Sequence, residues 1–286
     1  MEEQFAHAAL KDGVGRSRER IQAAAVAAVF LAILALGSWT RFQGLSEKGI
    51  FAHDSADVWR RTCARMEGVE PPGIPRFQPL PDYLYMLGMH VLGKHDYAPL
   101  AVNAAFDAAN LALLFFLSRR ILRNAWAALA CMGLYAVMWG AVLLSRELMT
   151  HPPAVFFSML AFWMFVRYAE EVDREEGGRP LRWLALSGFF AGLALVSHLS
   201  VQFICVAYIV LIAMKMTALG GTALWKRGWY FFVHAAVFSL AVFSVTGFFA
   251  CTEMAARGST AFLTEMRGLS NIRSSSAWLF ERHYAP

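Results

Sequence analysis

The run Ala52-His53-Asp54-Ser55-Ala56-Asp57-Val58-Trp59-Arg60-Arg61 gathers two carboxylates, an imidazole and two guanidiniums within ten positions. A carboxylate such as Asp54 could act as general base toward an acceptor hydroxyl or amine. His53, Arg60 or Arg61 could then meet an anionic donor phosphate, since guanidinium forks match phosphate oxygens. The same spacing has a structural reading, because Asp54 followed three residues later by Asp57 resembles a helix N-cap with an acidic N3. The two readings are compatible.

A second cluster, Ser145-Arg146-Glu147-Leu148-Met149-Thr150-His151-Pro152-Pro153, brings charge and imidazole together again. Arg146 and His151 are its candidates for binding a phosphate or substrate. Thr150 ahead of two prolines is also an ordinary helix start, and Arg146 with Glu147 could simply anchor the chain at a membrane interface. His198 joins the candidates from the Ser197–Ser200 turn, which needs polar residues in any case. Asn103, Asp107 and Asn110 fall at i, i+4 and i+7, on one face of an otherwise apolar helix. An ionisable residue there is costly and marks function by default, or else it serves interhelical hydrogen bonding. Gly188 and Gly192 form a small-xxx-small face suited to close helix packing.

The elements that hold these residues are membrane helices. Hydrophobic residues make up 58% of the 286 positions and charged residues 16%, too apolar for a soluble domain of this size. Apolar runs near the ~20 residues that a bilayer core requires lie at Gln22–Trp39, Ala98–Ser118, Ala125–Leu144, Pro152–Tyr168, Leu181–Ser197, Ser200–Met214 and Trp229–Ala250. The fold expected is therefore all-α and integral to the membrane, with about seven spans. Tyr83 to Leu92, behind Pro79-Leu80-Pro81, is about 15 Å long as a helix and should lie in the interface.

Basic residues orient the spans. Lys11, Arg16, Arg18 and Arg20 precede the first, Arg119, Arg120 and Arg123 follow the second, and Lys215, Lys226 and Arg227 separate the sixth from the seventh. Those ends face the cytoplasm, together with the mixed-charge segment Arg167 to Arg182 and its Glu175 and Glu176. Membrane orientation thus explains the formal charge of +5 better than nucleic acid does, for no long basic tract exists. The domain plan is a cytoplasmic segment 1–21, a transmembrane domain 22–250 with an outer loop 40–97, and an outer tail 251–286 that reads as interrupted. Four scattered cysteines and no metal-ligand spacing indicate neither a zinc module nor a disulfide framework, though Cys63 and Cys251 could pair. No cofactor is called for; a divalent metal at Asp54 is the one ion considered.

The order of these features resembles the GT-C superfamily of polyprenyl-phosphate-sugar-dependent glycosyltransferases, above all the protein O-mannosyltransferase and aminoarabinose-transferase branch. The landmarks are Asp54 in the long outer loop, Pro79-Leu80-Pro81-Asp82-Tyr83-Leu84-Tyr85 through Leu92-Gly93, the basic end Leu117-Ser118-Arg119-Arg120-Ile121-Leu122, the stretch Ser145, Arg146, Thr150, Pro152, and Gly188 through Ser200. Ser55 and His151 depart from the pattern, since family members often carry acids at those places. The resemblance implies a multi-helix GT-C membrane enzyme that takes a sugar from a lipid-phosphate donor and passes it to a lipid, glycan or protein acceptor outside the cytoplasm, with Asp54 as the loop acid. The residence expected is the bacterial inner membrane, N-terminus inside. Two other classes stay open at this stage: a transporter or flippase built on Asn103, Asp107 and Asn110, and an inactive assembly subunit.

Overall fold

The computed structural model describes residues 2–50, 53–69, 78–173, 180–218 and 224–257, with all their side chains except those of 2–18, 53, 224, 256 and 257. Expectations placed on Glu175, Glu176, the His53 side chain and the tail from 258 onward lie outside these residues. Regular structure among the described residues is helical throughout. Six helices are long and apolar enough to cross a membrane, or up to seven spans if a bent pair counts as one. The chain is thus an integral, multi-pass membrane protein, as expected.

The long helices are α1 (Glu2–Phe42), α5 (Tyr97–Leu122), α8 (His151–Asp173), α9 (Pro180–Ser197), α10 (Gln202–Ala218) and α11 (Leu224–Arg257). The run Ala125–Leu144 is not one straight helix. It divides into α6 (Ala125–Val137) and α7 (Trp139–Ser145), bent by 60° where Met138 adopts extended backbone. Carbonyls released by such a break must be satisfied within the protein. Here the buried Arg41 guanidinium donates to Ala136 O (3.3 Å) and Tyr135 O (3.4 Å).

Lipid tails are as apolar as leucine, so close approach and buried polar bonds hold such bundles. The Gly188–Gly192 face presses α9 onto α11: a Cβ added at Gly188 would stand 2.5 Å from Phe238 O, and one at Gly192 2.9 Å from Val245 Cβ. Tyr168, Leu184, Ile212 and Phe238 form the centre of that half. In the other half, α1, α5 and α6 pack through Leu111, Phe115, Leu129 and Met132.

One end of the bundle carries the short helices α2 (Leu45–Lys48), α3 (His53–Met66) and α4 (Pro79–Leu92); we call it the loop face, and the opposite one the basic end. Leu45, Val58, Tyr85, Leu100 and Leu148 form a buried cluster that seats these helices on α5. The α4 helix begins on prolines at its first positions and leaves Leu87 60% and Val91 74% exposed. That apolar outer side is what an interfacial helix turns to lipid. Cys63, Cys131, Cys205 and Cys251 are all unbridged.

Candidate active site

The segment between α7 and α8 is pinned from below by polar residues of α5. Asn103 Nδ2 donates to Glu147 O (2.7 Å) and Met149 O (2.8 Å), while the Tyr85 hydroxyl contacts Asn103 Oδ1 (2.7 Å) and Met149 O (2.8 Å). Asn110 Nδ2 reaches Pro152 O at 3.3 Å. Burial pushes the Tyr85 hydroxyl pKa up, with the Asp82 charge adding to it, which keeps this residue a neutral hydrogen-bonding group. The third polar residue of α5, Asp107, receives Arg41 Nε and the Tyr135 hydroxyl, each at 2.5 Å. Through these bonds the polar face of α5 joins α1, α4, α6 and the start of α8.

The same segment is tied to α2 and α3 from above. Lys48 Nζ donates to Glu147 Oε1 (2.7 Å) and Arg146 O (3.0 Å), and Ser55 Oγ to Glu147 Oε2 (3.3 Å). Thr150 Oγ1 donates to Gln78 Oε1 at 3.3 Å. The start of α3 is thereby fixed over the start of α8. Asp54 stands exposed in the first turn of α3 and interacts electrostatically with His151, the first residue of α8. Pro152 and Pro153 suit that position, where a helix has no internal acceptor for their missing N–H groups.

His151 in turn meets His198, their ring centroids 4.3 Å apart. The His198 ring is held from its other side, for Nδ1 contacts Ser200 Oγ at 2.6 Å and the Ser200 backbone N–H at 3.3 Å, capping the turn Leu199–Val201. The Nδ1 of His151 is buried with no hydrogen-bond partner among the described residues. Both imidazoles and Ser200 line one end of a groove of about 530 Å³ between α8 and α10. Its walls then run through Val155, Met159, Phe162, Ile204 and Leu211 to Leu117 near the basic end of α5. Two imidazoles thus crown an apolar slot, and the acid Asp54 interacts electrostatically with one of them.

The arginines expected near a phosphate have these partners. Arg60 bonds Asp57 at 2.7 Å on the exposed side of α3. Arg61 and Arg65 converge on the buried Asp82 at 3.5 and 3.0 Å. Arg146 donates to Thr40 O (3.2 Å) and Gln43 O (2.8 Å) and so closes the end of α1. Arg65 is also bidentate to Glu253 at 2.8 and 3.0 Å, which joins α3 to the end of α11. Burial pushes the Asp82 carboxyl pKa up, against the lowering pull of Arg61 and Arg65. Asp82, Glu147, Arg41 and Glu253 were not singled out as candidates from sequence. Asp82 and Glu147 had local signals, the one in its place behind Pro79-Leu80-Pro81, the other in the charged cluster after Ser145. Among the described residues no group of three or more His, Cys, Asp or Glu could hold a metal ion.

Comparisons with known proteins bear on this arrangement. The family model described as dolichyl-phosphate-mannose-protein mannosyltransferase matches residues 72–248. No curated protein matches the sequence significantly. Among solved structures, the S. cerevisiae protein O-mannosyltransferase Pmt1-Pmt2 complex bound to the sugar donor is similar, with a TM-score of 0.66 at 16% identity over 81% of this chain and 34% of that one. At that identity the likeness is one of fold, and this chain spans about a third of the yeast chain's length. The matched residues take in α4 through most of α11, including the groove and both imidazoles; the chain belongs to the dolichyl-phosphate-mannose-protein mannosyltransferase family, within the GT-C superfamily its landmarks resemble.

Proposed function

We propose that this chain is a GT-C glycosyltransferase, or the donor-binding part of one, that moves a sugar from a polyprenyl-phosphate-linked donor to a lipid, glycan or protein acceptor on the non-cytoplasmic face. The observation that carries the reading is the groove of about 530 Å³ with His151 and His198 at its end, His151 in turn interacting electrostatically with Asp54. Its apolar walls suit a polyprenyl tail, and family membership supplies the lipid-phosphate donor class. The loop face is then the non-cytoplasmic side, the N-terminus is cytoplasmic, and the bacterial inner membrane is the site of residence.

In this mechanism the acceptor O–H attacks the anomeric carbon while the bond from that carbon to the phosphate oxygen breaks. Asp54 takes the acceptor proton, and the polyprenyl phosphate leaves with the electron pair as a stabilised anion, so no strong acid is needed. His151, through its unpartnered Nδ1, and His198 hold phosphate oxygens. Arg60, whose bond to Asp57 lies in solvent, can leave that partner at small cost and swing toward the donor. Arg61, tied to Asp82, and Arg146, tied to the end of α1, support the site from further out.

The test is transfer from a polyprenyl-phosphate sugar by the purified chain in lipid, with donor binding followed separately. Asp54→Asn is expected to lower transfer by about a hundredfold or more while donor binding persists. Wild-type-level transfer by a folded Asp54→Asn protein would remove Asp54 from its role. Failure of the wild type to bind any polyprenyl-phosphate sugar would overturn the whole reading.

A further inference from the structure

At the basic end of the bundle, α1 parts from its neighbours. Near the loop face it is held closely, since a Cβ at Gly37 would stand 2.6 Å from Leu111 Cδ1 and Arg41 reaches Asp107. Toward residue 19 it opens, leaving Gln22, Ala23 and Ala27 exposed. A groove of about 500 Å³ lies there between α1, α5 and α6. Val26, Phe30, Phe115 and Phe116 form its apolar wall, the rings of Phe30 and Phe115 lying 4.8 Å apart.

The rim is polar and mostly cationic. Arg119, in the last turn of α5, lines the groove and is exposed. Arg20 on α1 and Arg123 at the end of α5 are exposed at the same end, and Glu19 is the acid on the rim. Arg120, by contrast, is already engaged by Glu170. The first turn of α6 also lines the rim through Ala125 and Trp126, and a helix start carries positive potential. Trp126 is 54% exposed, as an aromatic at headgroup depth should be. An apolar wall under a cationic rim fits an acyl chain beneath a phosphate and is poorly suited to a zwitterionic headgroup or another apolar helix.

We propose that this groove binds an anionic glycerophospholipid of the leaflet at the basic end. One acyl chain lies along Val26, Phe30, Phe115 and Phe116, and the phosphate faces Arg119. The site shares no lining residue with the α8–α10 groove and does not depend on the transferase reading.

Native mass spectrometry of the full chain in detergent, titrated with phosphatidylglycerol or phosphatidylcholine, tests it. The wild type is expected to retain phosphatidylglycerol in preference. Arg119→Ala should weaken that binding about fivefold, the worth of one cation near a lipid headgroup. Ala23→Trp, which fills the groove without altering charge, should displace the lipid, while Lys226→Ala at the same end should leave it in place. Equal retention of the two lipids would overturn the proposal. So would binding untouched by both groove variants, or an equal loss in Lys226→Ala that marked mere diffuse charge. A dimer broken by Ala23→Trp would assign the groove to a second copy and overturn it likewise.

Discussion

Arg41 and Asp107, 66 positions apart in the chain, form an ion pair at 2.5 Å with side chains 0 and 3% exposed. The pair binds α1 to α5, and the same guanidinium caps the carbonyls of Tyr135 and Ala136 at the break between α6 and α7. Removing one partner leaves the other charge buried. Arg41→Met is therefore expected to cost about 3–5 kcal/mol, whereas replacing both partners, with Asp107→Leu added, should recover a large part of that loss. Thermal unfolding of the single and double variants in one detergent checks this; equal losses in both would refute the compensation.

Tight packing of α9 on α11 leads to a second expectation. Gly188→Ala puts a methyl 2.5 Å from the Phe238 carbonyl oxygen, a backbone atom that cannot rotate away. The loss should be about 1–3 kcal/mol, with a lower melting temperature. Gly140 has nothing within 4 Å of its added Cβ, so Gly140→Ala should be near neutral.

Asp82 gives a pH dependence with a defined sign. Its folded pKa is raised, chiefly by burial, above the ordinary 3.8. The folded state therefore holds this proton more tightly than the unfolded state does. The contribution to stability is full below the ordinary value and is lost as pH rises through the folded pKa. Between about pH 4 and about pH 7, wild-type melting temperature should fall more, or rise less, than that of Asp82→Asn, which stays neutral throughout. Parallel pH profiles for the two proteins would contradict the assignment.

A fourth prediction rests on the proposed function. Ala207 is exposed and lines the α8–α10 groove, so Ala207→Trp fills the space without touching the core. Displacing two methylenes' worth of polyprenyl contact should raise the donor Kd about tenfold. Unfolding temperature should hold within about 2 °C of wild type, as for a surface change. Undiminished donor binding in this variant would place the lipid tail elsewhere.

The number of spans and their approximate limits were legible in the sequence because lipid imposes a local rule: each crossing needs about 20 apolar residues with internal backbone bonding. The short helix α4 and the close-packing face of Gly188 and Gly192 were readable for the same reason, being short-range patterns of helix length and period. Tertiary structure alone decided how the charges are used. Arg61 and Arg146 carry the same guanidinium as Arg60, yet docking of α3, α4 and α1 gives the first to Asp82 and the second to backbone carbonyls. Arg65 finds Glu253 across 188 positions, and His151 finds His198 through the packing of α8, α9 and α10. The bend at Met138 belongs to the same class, for its freed carbonyls are satisfied by Arg41 from another helix. Pairing of this kind depends on which helix faces meet, and a periodicity of 3.6 residues carries no information about that.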